Sequence, residues 1–390
     1  MRIALVGTRG VPARYGGFET AAEEVGRRLV ARGHEVTVYC RRQSGGSDLP
    51  PESYLGMRLV HLPAVRRKSL ETLSHTALSA LHLIRHGGTD AAILFNAANA
   101  MVLPILRLRR LPTATHVDGL EWRRAKWGGT GQRYYRLAEA LSVRWSDALI
   151  ADARGISDYY VEEFGAATAE IAYGAPVLED AGADRLAELG LSPGEYHLVV
   201  ARFEPENHVD VAIEGYLSSG VQHPVVVVGS APYPGAHQRR IEELAARQPG
   251  VRLLGGVWDQ DQLDQLYANA LTYVHGHSVG GTNPSLLRAM GAGCAVIAYD
   301  VNFNRDVLGP DGSFFADAEQ LAKRLVEMEG APEEAHAAGR RLAERAGAVY
   351  SWDSVASAYE ALCQSLVDGY SQRGRPSGRR LSTSPWRNER

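Results

Sequence analysis

The sequence predicts an α/β protein made of two Rossmann-like, doubly wound domains. Two observations point there. Short apolar strands, several closed by glycine, alternate with helical segments, and this alternation stops at a breaker-rich stretch and starts again. The 390 residues also fit about two domains of ~150–200 residues each. A composition of 45% hydrophobic and 22% charged residues is globular. The net charge of −3 argues against a protein whose main task is wrapping nucleic acid. Cys40, Cys294 and Cys363 lie too far apart in sequence for a disulfide framework or a zinc site, and read as small buried apolar residues.

Ile3–Val6 reads as a buried strand. A glycine-rich loop follows, then a helix from about Glu19 to Arg32 with Phe18, Ala22, Val25 and Leu29 on its apolar side. Gly33 caps it, and Glu35–Tyr39 is the next strand, which completes a βαβ unit. Further strands are expected at Arg58–Leu62, Ala91–Phe95, Thr113–Val117 and Ala148–Ala151. Tyr173-Gly174-Ala175-Pro176 and Gly182 mark a domain junction. The pattern then resumes with a strand at His197–Ala201, a helix at Val209–Leu217, and strands at Val225–Val228, Leu271–His275 and Ala295–Ala298. The four valines suit a parallel strand buried on both faces.

These segments divide the chain into an N-terminal domain over residues 1–178 and a C-terminal domain over 179–352, facing a cleft. A helix over 353–370 can cross back to the N-terminal domain. Residues 371–390 carry six arginines with Gly, Pro and Ser, and read as a disordered basic tail. The N-terminus shows a short apolar run, not the 7–15-residue core of a signal peptide. No stretch reaches the ~18 apolar residues of a membrane span, so a cytoplasmic protein is expected.

Four loops are candidates for chemistry. The first, Gly7 to Glu19, follows a strand and opens a helix at Gly16-Gly17, where free amides and the helix dipole attract anions. A plain βα turn is the alternative, though such turns run only ~2–6 residues. The glycine spacing does not fit G-x-G-x-x-G, and Cys40-Arg41-Arg42 stands where a dinucleotide site has an acid. Those arginines leave an NADP 2′-phosphate site open. The second loop, Thr115 to Trp127, packs His116, Asp118, Glu121, Arg123, Arg124 and Lys126 between tryptophans at a strand end. A solvated charged loop is the alternative, against which the tryptophans count.

The third loop, Ala201 to His208, holds Arg202, placed either to fork onto a phosphate or to pair with Glu204 or Glu206. In the fourth, His275 to Arg288, Pro284 suits a first helical turn, and Gly280 to Asn283 form an anion cradle. His275 and His277 lack a third metal ligand nearby. Asp259-Gln260-Asp261 reads as a helix cap.

Together, GTRGVPARYGGFET (7–20), RRKSLETLSHT (66–76), VDGLEWRRAKW (117–127), ARFEPENH (201–208) and HGHSVGGTNPSLLRAMGAG (275–293) resemble GT-B glycosyltransferases of family 4. The likeness is to a subgroup of rhamnosyltransferase-like enzymes of cell-surface polysaccharide synthesis. It implies a retaining transfer of a hexose or deoxyhexose from a nucleoside-diphosphate sugar to a glycan, lipid-linked or small-molecule acceptor, with no cofactor and no metal. It implies that His116 and Asp118 face the reacting sugar. Gly16, Gly17, Arg202, Asn207, Gly256, Val257, Gly281, Thr282, Asn283 and Arg288 would hold the donor. Tyr15, Glu121, Trp122, Arg123 and Lys126 would face the acceptor.

Two departures from the family pattern stand out. The Glu-x7-Glu positions hold Gly280 and Arg288, and Asn207 replaces the lysine that follows Arg-x4. Arg288 either supplies positive charge or marks weakened nucleotide binding. A degenerate sugar-nucleotide-binding protein is therefore the second reading. The basic segments Arg66-Arg67-Lys68 and Arg107-Leu108-Arg109-Arg110 and the tail admit an anionic membrane surface as a partner, with ordinary solvated arginines as the alternative.

Overall fold

The computed structural model describes residues 1–13, 16–42, 51–65, 70–117, 120–124, 127–178, 180–231 and 235–373. The chain divides into two units. Met1–Tyr173 with the segment from Trp352 onward forms the first, and Gly174–Ser351 the second. The boundary thus falls five residues before the one read from the sequence, directly after Tyr173.

The first unit holds strands β1 (Arg2–Val6), β2 (Glu35–Arg41), β3 (Ser53–Tyr54), β4 (Met57–Leu62), β5 (Ala91–Phe95), β6 (Thr113–His116), β7 (Ala148–Ala151) and β8 (Ala169–Glu170). Their order is β3-β4-β2-β1-β5-β6-β7-β8. All neighbours run parallel except β3 and β4. The apolar runs explain the sheet: Ala91–Phe95 and Ala148–Ala151 are buried along their whole length, as strands covered on both faces must be.

The Gly17–Ala31 helix buries Ala22, Val25 and Leu29. It ends in a left-handed Gly33 at φ 86°, with Gly33 N–H bonding Val30 O and His34 N–H bonding Leu29 O. On one sheet side, Ala80 and Leu83 of the Glu71–His86 helix join Leu103 and Leu106 over Ala4, Val6, Ala92 and Leu94. The Trp352–Val367 helix packs on the Gly17–Ala31 helix. Arg28 pairs with Asp353 at 2.9 Å and Arg32 with Glu360 at 2.8 Å.

The second unit holds β9 (His197–Val200), β10 (Val225–Val228), β11 (Val251–Gly255), β12 (Thr272–His275), β13 (Ala295–Tyr299) and β14 (Ser313–Phe315). All are parallel, in the order β11-β10-β9-β12-β13-β14. The four valines of β10 are buried, each worth roughly 1.5–3 kcal/mol relative to an exposed one. If β3 and β8 are set aside, both units share the doubly wound order 3-2-1-4-5-6. The order reverses between β1 and β5 in the first unit, and between β9 and β12 in the second. The three cysteines are buried and free.

Candidate functional site

In open α/β sheets ligands bind beyond the carboxyl ends of the strands, where the order reverses. In the second unit that place lies between the loop after β9 and the loop after β12. The two loops are stitched together. The Ser278 amide and hydroxyl both bond Glu206 O, at 2.9 and 3.1 Å, and the His208 ring bonds Gly276 O at 2.8 Å. Such an approach needs glycine at 276, because a Cβ there would stand 2.2 Å from Asn207 O. Asn207 is buried and gives its side-chain amide to Arg202 O at 2.8 Å. Its role here is to hold the turn that carries Arg202.

Arg202 itself pairs with no carboxylate among the described residues, so the expected alternative of an ion pair with Glu204 or Glu206 is not what the structure shows. The guanidinium is partly buried at the switch point, with its forked donor set not taken up by a carboxylate. Beside it the Pro284–Gly291 helix begins. Asn283 caps it, accepting from Ser285 N–H at 2.9 Å and from the Ser285 hydroxyl at 2.8 Å. Tyr273 O–H donates to that hydroxyl at 2.9 Å. Gly281 and Thr282 lead into this cap, on the positive side of the helix dipole.

Buried polar groups gather around these loops: Glu206 follows β9, His275 ends β12, and Asn304, on the Asn302–Leu308 helix, gives its side-chain amide to His277 O at 3.0 Å. Both Glu206 carboxylate oxygens, His275 Nε2 and Asn304 Oδ1 are shielded from solvent and make no hydrogen bond among the described residues. Burial drives the His275 ring down to about pKa 3, so it is neutral. His275 stacks on His277 at 4.4 Å, and His208 on Tyr299 at 4.2 Å.

Three expected donor residues sit apart from this cluster. Gly256 and Val257 follow β11, at the sheet edge, before the 72% exposed Trp258. Arg288 forms an ion pair with Asp264 of the Gln260–Ala268 helix, both side chains largely buried. Its charge is therefore already balanced. Asp259 caps that helix through Gln262 N–H at 3.2 Å, as its position suggested.

In the first unit the glycine loop is closed on itself. Arg9 N–H bonds a Glu19 carboxylate oxygen at 2.9 Å, and Ala13 N–H bonds Glu23 at 2.6 Å. The helix after the loop thus supplies its own anions. Gly7, at φ 97°, lies so close to β5 that a Cβ would stand 2.4 Å from Phe95 O. Gly16 precedes the helix at φ 119° and Gly17 opens it. Arg41 is held by Glu71 at 3.3 Å and by Thr72 at 2.8 Å, so a 2′-phosphate would have to displace both.

His116 ends β6 and is buried, with Phe18, Phe95 and Tyr173 rings at 5.2, 5.7 and 5.8 Å. Burial lowers it to about pKa 3, so the ring is neutral. Asp152, just past β7, is also buried, and desolvation raises its carboxyl to about pKa 7. The signal for it was an acid directly after the apolar strand Ala148–Ala151. Glu121 binds Arg124 at 2.6 Å and Trp127 at 3.3 Å, while Arg136 lies over the Trp122 ring at 5.2 Å. Glu121 and Trp122 thus build the loop. Tyr15, Asp118, Lys126 and the Arg123 side chain lie outside the described residues.

Residues 16–174 match the glycosyl transferase 4-like domain, and residues 195–329 the glycosyl transferases group 1 domain. These are the two domains of a GT-B glycosyltransferase. The chain is 26% identical over 130 residues to the O-antigen chain mannosyltransferase B of Escherichia coli, a match covering 32% of this chain and 34% of that protein. It is 26% identical over 217 residues to the glycogen synthase of Bordetella petrii, covering 50% and 41%. It thus spans 34% and 41% of those relatives' lengths.

Among solved structures it superposes on sucrose-phosphate synthase from Thermosynechococcus elongatus with TM-score 0.80 and 21% identity, covering 94% of this chain and 99% of that one. The Anabaena protein HepE in complex with UDP-glucose gives TM-score 0.71 and 14% identity, covering 94% and 100%. At these identities the structures establish the GT-B fold. A mannosyltransferase, a glycogen synthase and a sucrose-phosphate synthase lend the rhamnosyltransferase-like subgroup no support, so it rests on the sequence motifs.

Proposed function

We propose that this glycosyltransferase moves a hexose or deoxyhexose, such as rhamnose, from a nucleoside-diphosphate sugar to a glycan, lipid-linked or small-molecule acceptor, with retention at the anomeric carbon. The unpaired Arg202 at the reversal point of the second unit carries the reading. Breaking the sugar–phosphate bond leaves charge on the departing diphosphate. Arg202 and the amide end of the Pro284–Gly291 helix are fixed donors placed to stabilise it. This assigns the cationic work to the chain itself, so turnover is expected to survive a chelator. HepE, with its bound UDP-glucose, supports a uridine nucleotide as the first donor to try. The family resemblance supports retention and work at the cytoplasmic side of a membrane.

A thermal-shift screen tests the proposal. A ligand of the folded state raises the melting temperature as its excess over Kd grows. A rise with one of the UDP-, GDP-, ADP- or dTDP-sugars, and none with NADPH, supports it. A rise with NADPH alone would move the chain to the oxidoreductases.

The Arg288–Asp264 pair favours a second reading, a protein that binds a sugar nucleotide but transfers poorly. Arg288→Glu alone sets two carboxylates face to face, so the informative variant exchanges the pair, Arg288→Glu with Asp264→Arg. A faster transfer in that variant supports the second reading; an unchanged or lower rate removes it.

A further inference from the structure

The first unit treats its arginines in two ways. Around the Gly17–Ala31 helix they are paired: Arg27 with Glu24, Arg28 with Asp353, Arg32 with Glu360. The layer formed by the Glu71–His86 helix, residues 97–110 and the Gly129–Trp145 helix is different. These elements pack side by side. Arg85, Arg107, Arg109, Arg110, Arg133 and Arg144 are exposed there, and none makes an ion pair with a described residue. Over residues 72–117 and 127–145 the chain has two acids. Asp90 is taken by Arg2 at 2.7 Å, and Glu139 is buried against the Tyr159 hydroxyl at 2.9 Å.

The same layer exposes large apolar side chains. Leu108 is 76% exposed and stands between those arginines, and Leu78, Leu81, Met101 and Leu137 are also exposed. A solvated surface gains nothing from leucines, and a nucleic-acid surface gains nothing from them either. An anionic bilayer takes both: phosphate headgroups meet the guanidinium groups while the leucines enter the acyl boundary.

We propose that this face of the first unit docks on an anionic phospholipid surface, with Arg107, Leu108, Arg109 and Arg110 at its centre. Among the described residues no helix is long and apolar enough to cross a membrane, so the contact is one of lying on the surface. The proposal does not depend on the sugar-transfer reading.

The test is sedimentation of the full chain with vesicles of equimolar phosphatidylglycerol and phosphatidylcholine, against vesicles of phosphatidylcholine alone. Binding is expected to the first and not the second, weakening with salt. Each arginine near such a surface is worth about a five-fold change in partition, so Arg107→Glu/Arg109→Glu/Arg110→Glu should lose about a hundred-fold or more. Leu108→Gln should lose several-fold, with the loss persisting at high salt. Arg239→Glu, exposed on the second unit, should bind as the parent does. Because the altered residues are exposed, their melting temperatures should match the parent's. Triple-variant binding equal to the parent's would overturn the proposal and assign binding to another basic segment. Binding to duplex DNA with none to the vesicles would overturn it in favour of a polyanion site.

Discussion

Both units wind their strands in one order, yet they treat the reversal point oppositely. In the first unit the loop after β1 is satisfied from within: Glu19 and Glu23 occupy the amides of Arg9 and Ala13. In the second, the loop after β9 carries Arg202 with no carboxylate partner among the described residues. The difference teaches that a glycine loop before a helix is not by itself an anion site. What decides is whether the protein has already supplied the anion.

The sharpest way to break this contrast is Arg202→Ala. It should lower kcat/KM for a nucleotide sugar by about a hundred- to thousand-fold while the melting temperature holds, as removal of one preorganised donor does. Gly7→Ala tests the opposite property of the first loop. The added Cβ meets the Phe95 carbonyl and the backbone is left-handed, so a loss of about 3 kcal/mol in denaturant unfolding is expected.

Asp152 offers a pH test of the first unit. Its carboxyl sits at about pKa 7 in the fold against an ordinary value near 3.8. The folded state therefore holds the proton more tightly, and the stability this confers is complete below pH ~4 and fades as pH rises to ~7. Asp152→Asn should remove about 4 kcal/mol of pH dependence across that window, read from urea midpoints.

Glu23→Ala frees the Ala13 amide. It should cost about 1.5 kcal/mol of stability and leave donor affinity within about two-fold. If donor affinity rises instead, the first loop competes for phosphate and the contrast between the units is less sharp than drawn.

Much of this was legible in the sequence, and the misses have physical causes. Fully buried strands such as Ala91–Phe95 and Val225–Val228 announce themselves as apolar runs, and their limits agree with the structure. The unforeseen strands are short pieces or edges. Ser53–Tyr54 and Ala169–Glu170 have two residues each, and Val251–Gly255 and Ser313–Phe315 close the sheet and are partly exposed. Half-covered strands need no continuous apolar run.

At the site, Arg202, Thr282 and Asn283 stood out because charge, cap residues and Pro284 occur together. Glu206 could not be recognised, since a carboxylate in a polar loop looks solvated until the fold buries it to 8% exposure. Nor could Arg288 be resolved, because its partner Asp264 lies twenty-four residues away on another helix. The pairing of Glu19 and Glu23 with the first loop was equally invisible: helical spacing shows which residues share a face, not that their carboxylates turn back to amides upstream.

The most direct measurement is calorimetric titration of the donor nucleotide selected by the thermal screen into three proteins: the parent, Arg202→Ala and Glu23→Ala. Binding that is at least about thirty-fold weaker in Arg202→Ala and unchanged in Glu23→Ala is the expected result, since hydrogen bonds to charged groups carry ~1.5–3 kcal/mol. Equal affinity in the parent and Arg202→Ala, or a loss confined to Glu23→Ala, would contradict the assignment of the diphosphate to the second unit.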